Sequence, residues 1–295
     1  VSKKSIINLI GNTPLVKSIS INQNKNVTLY FKLEGHNPGA SVKDRAAYNM
    51  INEALKRGDI KEGDTLVEAT SGNTGIALAF IANLLGLKMK LIMPENSTEE
   101  RVKTMKAYGA EVILTSAEEG IEGSRDLAFK LRDEKGYTLL NQFENNDNWK
   151  AHYKTTGPEI WQDTNGEVTH FVSAMGTTGT IMGTSTYLKE QNKNITIVGA
   201  QPKDGSKIPG IRKWSLAYVP KIFDRNKVDQ VIEVSEDEAK AMTQRLAKEE
   251  AVFAGMSSGG AVATALKLIE NLDQGTVVVI ICDRGDRYLS SDLFD

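Results

Sequence analysis

The chain has 295 residues, 40% hydrophobic and 25% charged, a globular composition that excludes disordered and collagen-like classes. Lys+Arg 36 against Asp+Glu 38 gives a net charge of −2, without the basic excess that a nucleic-acid partner requires. The single cysteine, Cys282, forms neither an intrachain disulfide nor a structural zinc site, so a cytoplasmic protein held by its core is expected.

In chain order, short β-rich runs are expected at Thr28 to Glu34, Asp64 to Thr70, Lys88 to Pro94, Ala110 to Thr115 and Thr138 to Gln142. Four more follow at His170 to Met175, Ile195 to Gln201, Val228 to Val234 and Thr276 to Asp283. Longer helical stretches alternate with them, the α/β pattern of a mostly parallel sheet covered on both faces. That is too many strands for one small sheet. Ser97 with Glu100 and Ser235 with Glu238 read as capping boxes, and Gly58, Gly86, Gly109 and Gly136 read as helix C-caps. No Pro/Gly/Ser linker separates two halves, so the domains are expected to exchange chain segments, with the polar stretch Asn141 to Asn148 as crossover. Ile76 to Leu85 and Val277 to Cys282 are too short for the roughly 18 residues of a membrane span, and Val1 to Leu9 lacks the apolar run of a secretory signal.

Ligands in open α/β sheets sit beyond the carboxyl ends of the strands. Three loops there are rich in Gly, Ser and Thr, and each opens a helix: Thr70 to Gly75, Gly176 to Thr180 and Gly255 to Gly260. Neither a Gly-x-Gly-x-x-Gly fingerprint nor a P-loop occurs, which excludes NAD and ATP by those routes. What remains is the general anion seat made by backbone N–H groups and Thr hydroxyls at a helix N-terminus. Gly255-Met256-Ser257-Ser258-Gly259 imitates a hydrolase nucleophile elbow, but His36, His152 and His170 all precede Ser257, so the required Ser, acid, His order is not met. The scattered histidines read as surface or core residues, and no metal site is expected.

Asn37 to Arg45 combines a Pro-Gly turn with the start of a helix, and Lys43 falls in its first turn. A cation there meets the positive end of the helix dipole, which favours the free amine that a Schiff-base lysine needs.

These residues carry a resemblance. Ile10-Gly11-Asn12-Thr13-Pro14-Leu15, Lys32-Leu33-Glu34-Gly35 through Arg45, Glu68 to Gly75, Gly176 to Thr180, Ile208-Pro209-Gly210-Ile211-Arg212, the Ser257 loop and Cys282 to Ser290 run nearly the whole length of the chain. In order and spacing the chain resembles the β-family of pyridoxal-phosphate enzymes, the cysteine synthase and cystathionine β-synthase family. Within it, the likeness is strongest to the B-type O-acetylserine sulfhydrylases.

The resemblance implies fold-type II, tryptophan synthase β-like, with two open, mostly parallel sheets flanked by helices. It implies a large cofactor-binding domain of residues 1–38 plus 147–295, a smaller mobile substrate-binding domain of residues 39–146, and a homodimer. The cofactor would be pyridoxal 5′-phosphate, bound to Lys43, with Asn73 at its 3′-oxygen. Gly176, Thr177, Thr178, Gly179 and Thr180 would hold its phosphate, and Ser257 would meet its pyridine nitrogen. Thr70, Ser71, Gly72, Thr74 and Gln142 would grip the carboxylate of O-acetylserine. Lys43 would then take the Cα proton, acetate would leave, and sulfide or thiosulfate would add at Cβ.

Arg212 and the neighbouring Lys213 lie where the resemblance puts admission of an anionic sulfur donor, the alternative being a solvated pair on a loop. The chain departs from the B-type pattern at Lys213, where a second arginine is usual, at Gly39-Ala40, where the small pair is usually reversed, and at His36; these touch acceptor choice rather than the chemistry. Homocysteine, as in cystathionine β-synthases, is the alternative acceptor, and a non-catalytic regulatory member of the family is the alternative role. Cys282 reads as a buried core thiol rather than a nucleophile.

Overall fold

The computed structural model describes residues 5–295, so the first residues of the Val1 to Leu9 stretch lie outside it. Strand β1 (Leu15–Lys17) pairs antiparallel with β2 (Val27–Leu33), and α1 (Lys43–Arg57) leads out of this sheet. A second sheet follows, built from β3 (Thr65–Ala69), β4 (Lys88–Pro94), β5 (Glu111–Thr115) and β6 (Thr138–Leu139). Its connections are α2 (Asn73–Leu84), α3 (Glu99–Ala107) and α4 (Gly120–Lys135). The chain returns through α5 (Asn146–Lys154) and α6 (Thr156–Asp163) to β7 (His170–Ala174), α7 (Gly179–Gln191), β8 (Thr196–Pro202) and β9 (Gln230–Val234). It closes with α8 (Glu236–Glu250), α9 (Met256–Ile269) and β10 (Gly275–Ile281).

The strand orders are β1-β2-β10-β7-β8-β9 and β5-β4-β3-β6, and every pairing except β1 with β2 is parallel. The expected α/β architecture of two open, mostly parallel sheets flanked by helices is therefore what forms. β10 shows why it holds. Its Val277, Val279 and Ile281 enter the core beneath α9, while Val278 and Ile280 enter the core beneath α7, as a period of two on a doubly covered strand demands. Each such aliphatic contributes about 1.5–3 kcal/mol on full burial. Among the described residues no helix is long and apolar enough to cross a membrane.

The expected strands correspond to β2 through β10, with two ends corrected. β6 stops at Leu139 rather than Gln142, because Asn141 turns the chain at φ 49. β10 stops at Ile281, after which Asp283 makes only an isolated bridge to Ser41. Gly58 and Gly136 cap α1 and α4 in left-handed conformation, and Ser235 with Glu238 forms the expected capping box. The box at Ser97 does not form. Ser97 Oγ donates back to the Pro94 carbonyl at 2.6 Å, and Thr98 takes the N-cap position without a side-chain bond.

A buried ion network fixes α1 against the first sheet. Arg45 is bidentate on Glu34, at 2.7 and 2.8 Å, and reaches Glu159 at 2.6 and 2.8 Å. Lys32 joins from β2, 2.9 Å from Glu159, and donates to the Thr13 carbonyl at 2.7 Å. Burial alone would raise the Glu34 carboxyl, but the Arg45 guanidinium overrides it and brings the pKa down to about 2. The network lies one turn from Lys43 and orients the start of α1.

Candidate active site

The ends of β3, β6, β7 and β10 and the loop between α8 and α9 converge on one cleft of about 520 Å³ between the sheets. From β3 comes the loop Thr70-Ser71-Gly72, with Asn73 opening α2. Thr74 Oγ1 donates to Gln142 Oε1 at 2.8 Å, which ties this loop to the turn after β6. That turn is held by Glu68, buried in β3, whose Oε2 accepts the Asn141 N–H at 3.0 Å. Burial outweighs the backbone bonds it accepts and pushes the Glu68 carboxyl up to about 7.

β7 delivers the second loop. Thr178 takes the left-handed φ of 69 and N-caps α7, and among the described residues its buried Oγ1 has no hydrogen-bond partner. A side chain at Gly176 would come within 2.7 Å of the Gly210 carbonyl oxygen, and one at Gly179 would overlap Asn148 Oδ1. The third loop places Ser257 in the first turn of α9, buried, beneath Gly210, where the φ of +89 and Ser257 Cβ 3.2 Å away disfavour a side chain.

Lys43 is the first residue of α1, half-buried, and lines the same cleft. Its approach is stitched to the end of β10 by the Val42 N–H donating to the Cys282 carbonyl at 2.8 Å. Ala40, not Gly39, carries the left-handed φ of 59 in this turn. Gly39 is needed for space, since a Cβ there would sit 2.6 Å from Asp44 Oδ1 and 2.7 Å from the Phe80 ring. Asp44 accepts the Gly39 N–H at 2.5 Å, and burial pushes its carboxyl up to about 7.

Asn73 is clamped in one orientation. Its Nδ2 donates to Asp283 at 2.7 Å, its Oδ1 accepts from Arg287, and Tyr288 Oη donates to the same Asp283 oxygen at 2.7 Å. Arg287 also reaches the Gly39 carbonyl, so this C-terminal segment joins both sides of the cleft.

Lys43, Thr70, Ser71, Gly72, Asn73, Thr74, Gln142, Gly176, Thr177, Thr178, Thr180, Ser257 and Arg212 all line the cleft. Gly179 does not; it starts α7 immediately behind. Arg212 lies at the mouth, its guanidinium 5.3 Å from the Trp214 ring, and Lys213 turns away to Asp204 and Glu233, both at 2.7 Å. Cys282 is half-buried: it packs against the core beneath α7 and also lines the cleft. Burial nevertheless pushes its thiol up to about 11, which suppresses the thiolate a nucleophile needs.

Motif reading missed Arg101 and Arg125, which line the cleft from α3 and α4. It also missed Tyr288, although the Cys282 to Ser290 segment that carries it stood out in sequence. The arginines sit on ordinary charged helix faces, so no local signal marks them. With Arg212 and Lys43 they give the cleft an excess of positive charge over its one acidic lining residue, Glu122. A positive, Thr- and Gly-rich cleft with a primary amine suits an anionic ligand that bears a carbonyl.

Comparison with known proteins agrees with that chemistry. Residues 6–283 match the family model described as pyridoxal-phosphate dependent enzyme. The chain is 59% identical to cysteine synthase B of Pseudomonas aeruginosa, over 99% of this chain and 97% of that one. Among solved structures it resembles cysteine synthase of Entamoeba histolytica, with a TM-score of 0.94 at 37% identity, covering 100% of this chain and 92% of that one. It also resembles an O-acetylserine dependent cystathionine β-synthase from Helicobacter pylori, with a TM-score of 0.92 at 36% identity, covering 99% of each.

Proposed function

The chain belongs to the pyridoxal-phosphate dependent enzymes, and on that premise we propose that it is a B-type cysteine synthase. It replaces the acetoxy group of O-acetyl-L-serine by sulfide, giving L-cysteine and acetate, or by thiosulfate, giving S-sulfocysteine. The near full-length identity to a cysteine synthase B supports this reading. The observation that carries it to the residue level is the meeting of Lys43, Asn73, Ser257 and the Gly176 to Thr180 loop in one cleft.

The residues fit the cofactor. A buried Thr178 hydroxyl without a partner among the described residues, at the N-terminus of α7 beside side-chain-free glycines, suits a phosphate. Asn73 spends one amide hydrogen on Asp283 and keeps the second for a ring oxygen. Ser257 offers a neutral hydroxyl to a ring nitrogen, and Lys43 Nζ would anchor the aldehyde. When bound, pyridoxal phosphate supplies an electron sink for bond breaking at the substrate Cα.

The chain's own groups do the rest. Thr70 to Thr74, with Gln142 behind Thr74, would hold the substrate carboxylate on backbone N–H groups and hydroxyls and so orient the Cα–H bond. Lys43 Nζ takes the Cα proton, acetate departs from Cβ, and the sulfur donor forms the new Cβ–S bond. The unit of residues 39–146 closes over the substrate and keeps water out, and the protein works as a homodimer. A second reading, homocysteine as acceptor, is favoured by the likeness to the Helicobacter pylori enzyme, and the higher identity to cysteine synthase B ranks it below the first.

Lys43→Ala tests the assignment. The substituted protein should lose the cofactor absorbance shift on adding O-acetylserine and should form no cysteine. Turnover at the wild-type rate would end it.

A further inference from the structure

Helix α5 packs behind the loop that opens α7, and two glycines one turn apart allow the close approach. A Cβ at Gly179 would overlap Asn148 Oδ1, and one at Gly183 would overlap the Trp149 carbonyl oxygen. Facing those glycines, Asn148 and His152 are spaced i, i+4 on α5 and are 2% and 1% exposed. Each holds one threonine of the loop.

Asn148 Nδ2 spends both hydrogens, on the Gln142 carbonyl at 2.7 Å and on Thr177 Oγ1 at 3.1 Å. A hydroxyl that accepts from its scaffold keeps its own hydrogen to donate elsewhere. His152 repeats the arrangement one turn on, with Nδ1 2.8 Å from Thr156 Oγ1 and Nε2 3.3 Å from Thr180 Oγ1. Burial, helped by the nearby Arg45 guanidinium, takes the ring pKa down to about 3, so it is neutral and has one N–H to place. Thr156 is fully buried, and among the described residues its hydroxyl has no partner but Nδ1. It is satisfied by donating there, which puts the ring proton on Nε2.

We propose that Asn148 and His152 are positioning residues that donate into Thr177 Oγ1 and Thr180 Oγ1, so that both hydroxyls aim their own hydrogens at a phosphate in the cleft. The ordered chain runs from Thr156 O–H to Nδ1 and from Nε2–H to Thr180 Oγ1, whose hydrogen completes it. This inference rests on the pyridoxal-phosphate reading above, and it goes beyond that reading in assigning the orientation of the seat to a helix that does not line it.

The test compares binding of pyridoxal 5′-phosphate and of pyridoxal, which lacks the phosphate, to the wild type, His152→Phe and His152→Gln. His152→Phe should weaken the phosphate ester by about tenfold and leave pyridoxal unchanged, the loss expected for one donor serving a charged group. His152→Gln, whose Nε2 can donate from the same place, should restore most of the affinity. Nitrogen-15 NMR of wild-type His152 should show the Nε2–H tautomer alone, a readout that survives if His152→Phe fails to fold. Equal loss of both ligands, no loss in His152→Phe, or an Nδ1–H tautomer overturns the inference while leaving the functional reading standing. A wild type that binds no pyridoxal phosphate overturns both.

Discussion

Glu68 offers a quantitative test of how the substrate loop is held. It is buried in β3, two residues before Thr70, and grips the turn that presents Gln142 to Thr74. In the fold its pKa rises from an ordinary 4.5 to about 7, because burial outweighs the backbone bonds and the charge of Arg125. At about 1.4 kcal/mol per tenfold change in proton affinity, that difference is worth about 3 kcal/mol. The folded state binds this proton more tightly than the unfolded one. Its contribution is therefore fully present below pH 4.5 and is lost as pH rises through 7.

Glu68→Gln removes the titration and keeps the shape. Urea unfolding of wild type and variant at matched cofactor load, from pH 5 to pH 8, should show the variant gaining on wild type by up to about 3 kcal/mol. Asp44 is pushed up to the same range but is common to both proteins, so it cancels in the difference. A stability difference that stays constant across this range would refute the reasoning.

Ala40→Gly should stabilise the protein by up to about 1 kcal/mol, because Ala40 holds a left-handed φ of 59 that costs an alanine more than a glycine; a lower melting temperature would contradict this. Arg45→Met should destabilise by about 3–5 kcal/mol at pH 7, since it strands Glu34 in the interior. Glu34 has its pKa lowered to about 2, so its ion pair contributes above pH 4.5 and fades as pH falls toward 2. Chemical denaturation should accordingly show the gap between Arg45→Met and wild type narrowing in acid. Arg212→Ala should lower kcat/KM for thiosulfate by roughly tenfold more than for sulfide, as expected for loss of a charge-assisted contact; equal losses would place Arg212 outside acceptor binding.

The parts of the site that were legible in sequence are those whose chemistry is local. A Pro-Gly turn followed by a helix start marks Lys43, and Gly/Thr-rich turns at helix N-termini mark Asn73, Thr177 and Ser257 within a few residues each. The strands were equally visible, because buried parallel strands such as Val277 to Ile281 are continuous apolar runs. β1 escaped because three residues on an antiparallel edge carry too little pattern to show a period. The capping box at Ser97 misled because Ser97 Oγ is satisfied by the Pro94 carbonyl, which leaves the N-cap position to Thr98.

The long-range partners had no local signature at all. Asn73 meets Asp283 and Arg287 only because two sheets close on each other, Gln142 meets Thr74 because β3 and β6 are neighbours far apart in sequence, and Lys32 of β2 meets Glu159 of α6 across more than a hundred residues. His152 is buried, within the surface-or-core expectation for the histidines, but its hold on Thr180 depends on the glycines that bring α5 against α7.

This cleft makes a carbon–sulfur bond at Cβ of O-acetylserine to give cysteine. The most direct test is product identification by mass spectrometry, with O-acetylserine and equal sulfide, thiosulfate or homocysteine in parallel. Cysteine should form from sulfide and S-sulfocysteine from thiosulfate, each faster than cystathionine. Cystathionine as the dominant product, or no sulfur-containing product from any of the three, would contradict it.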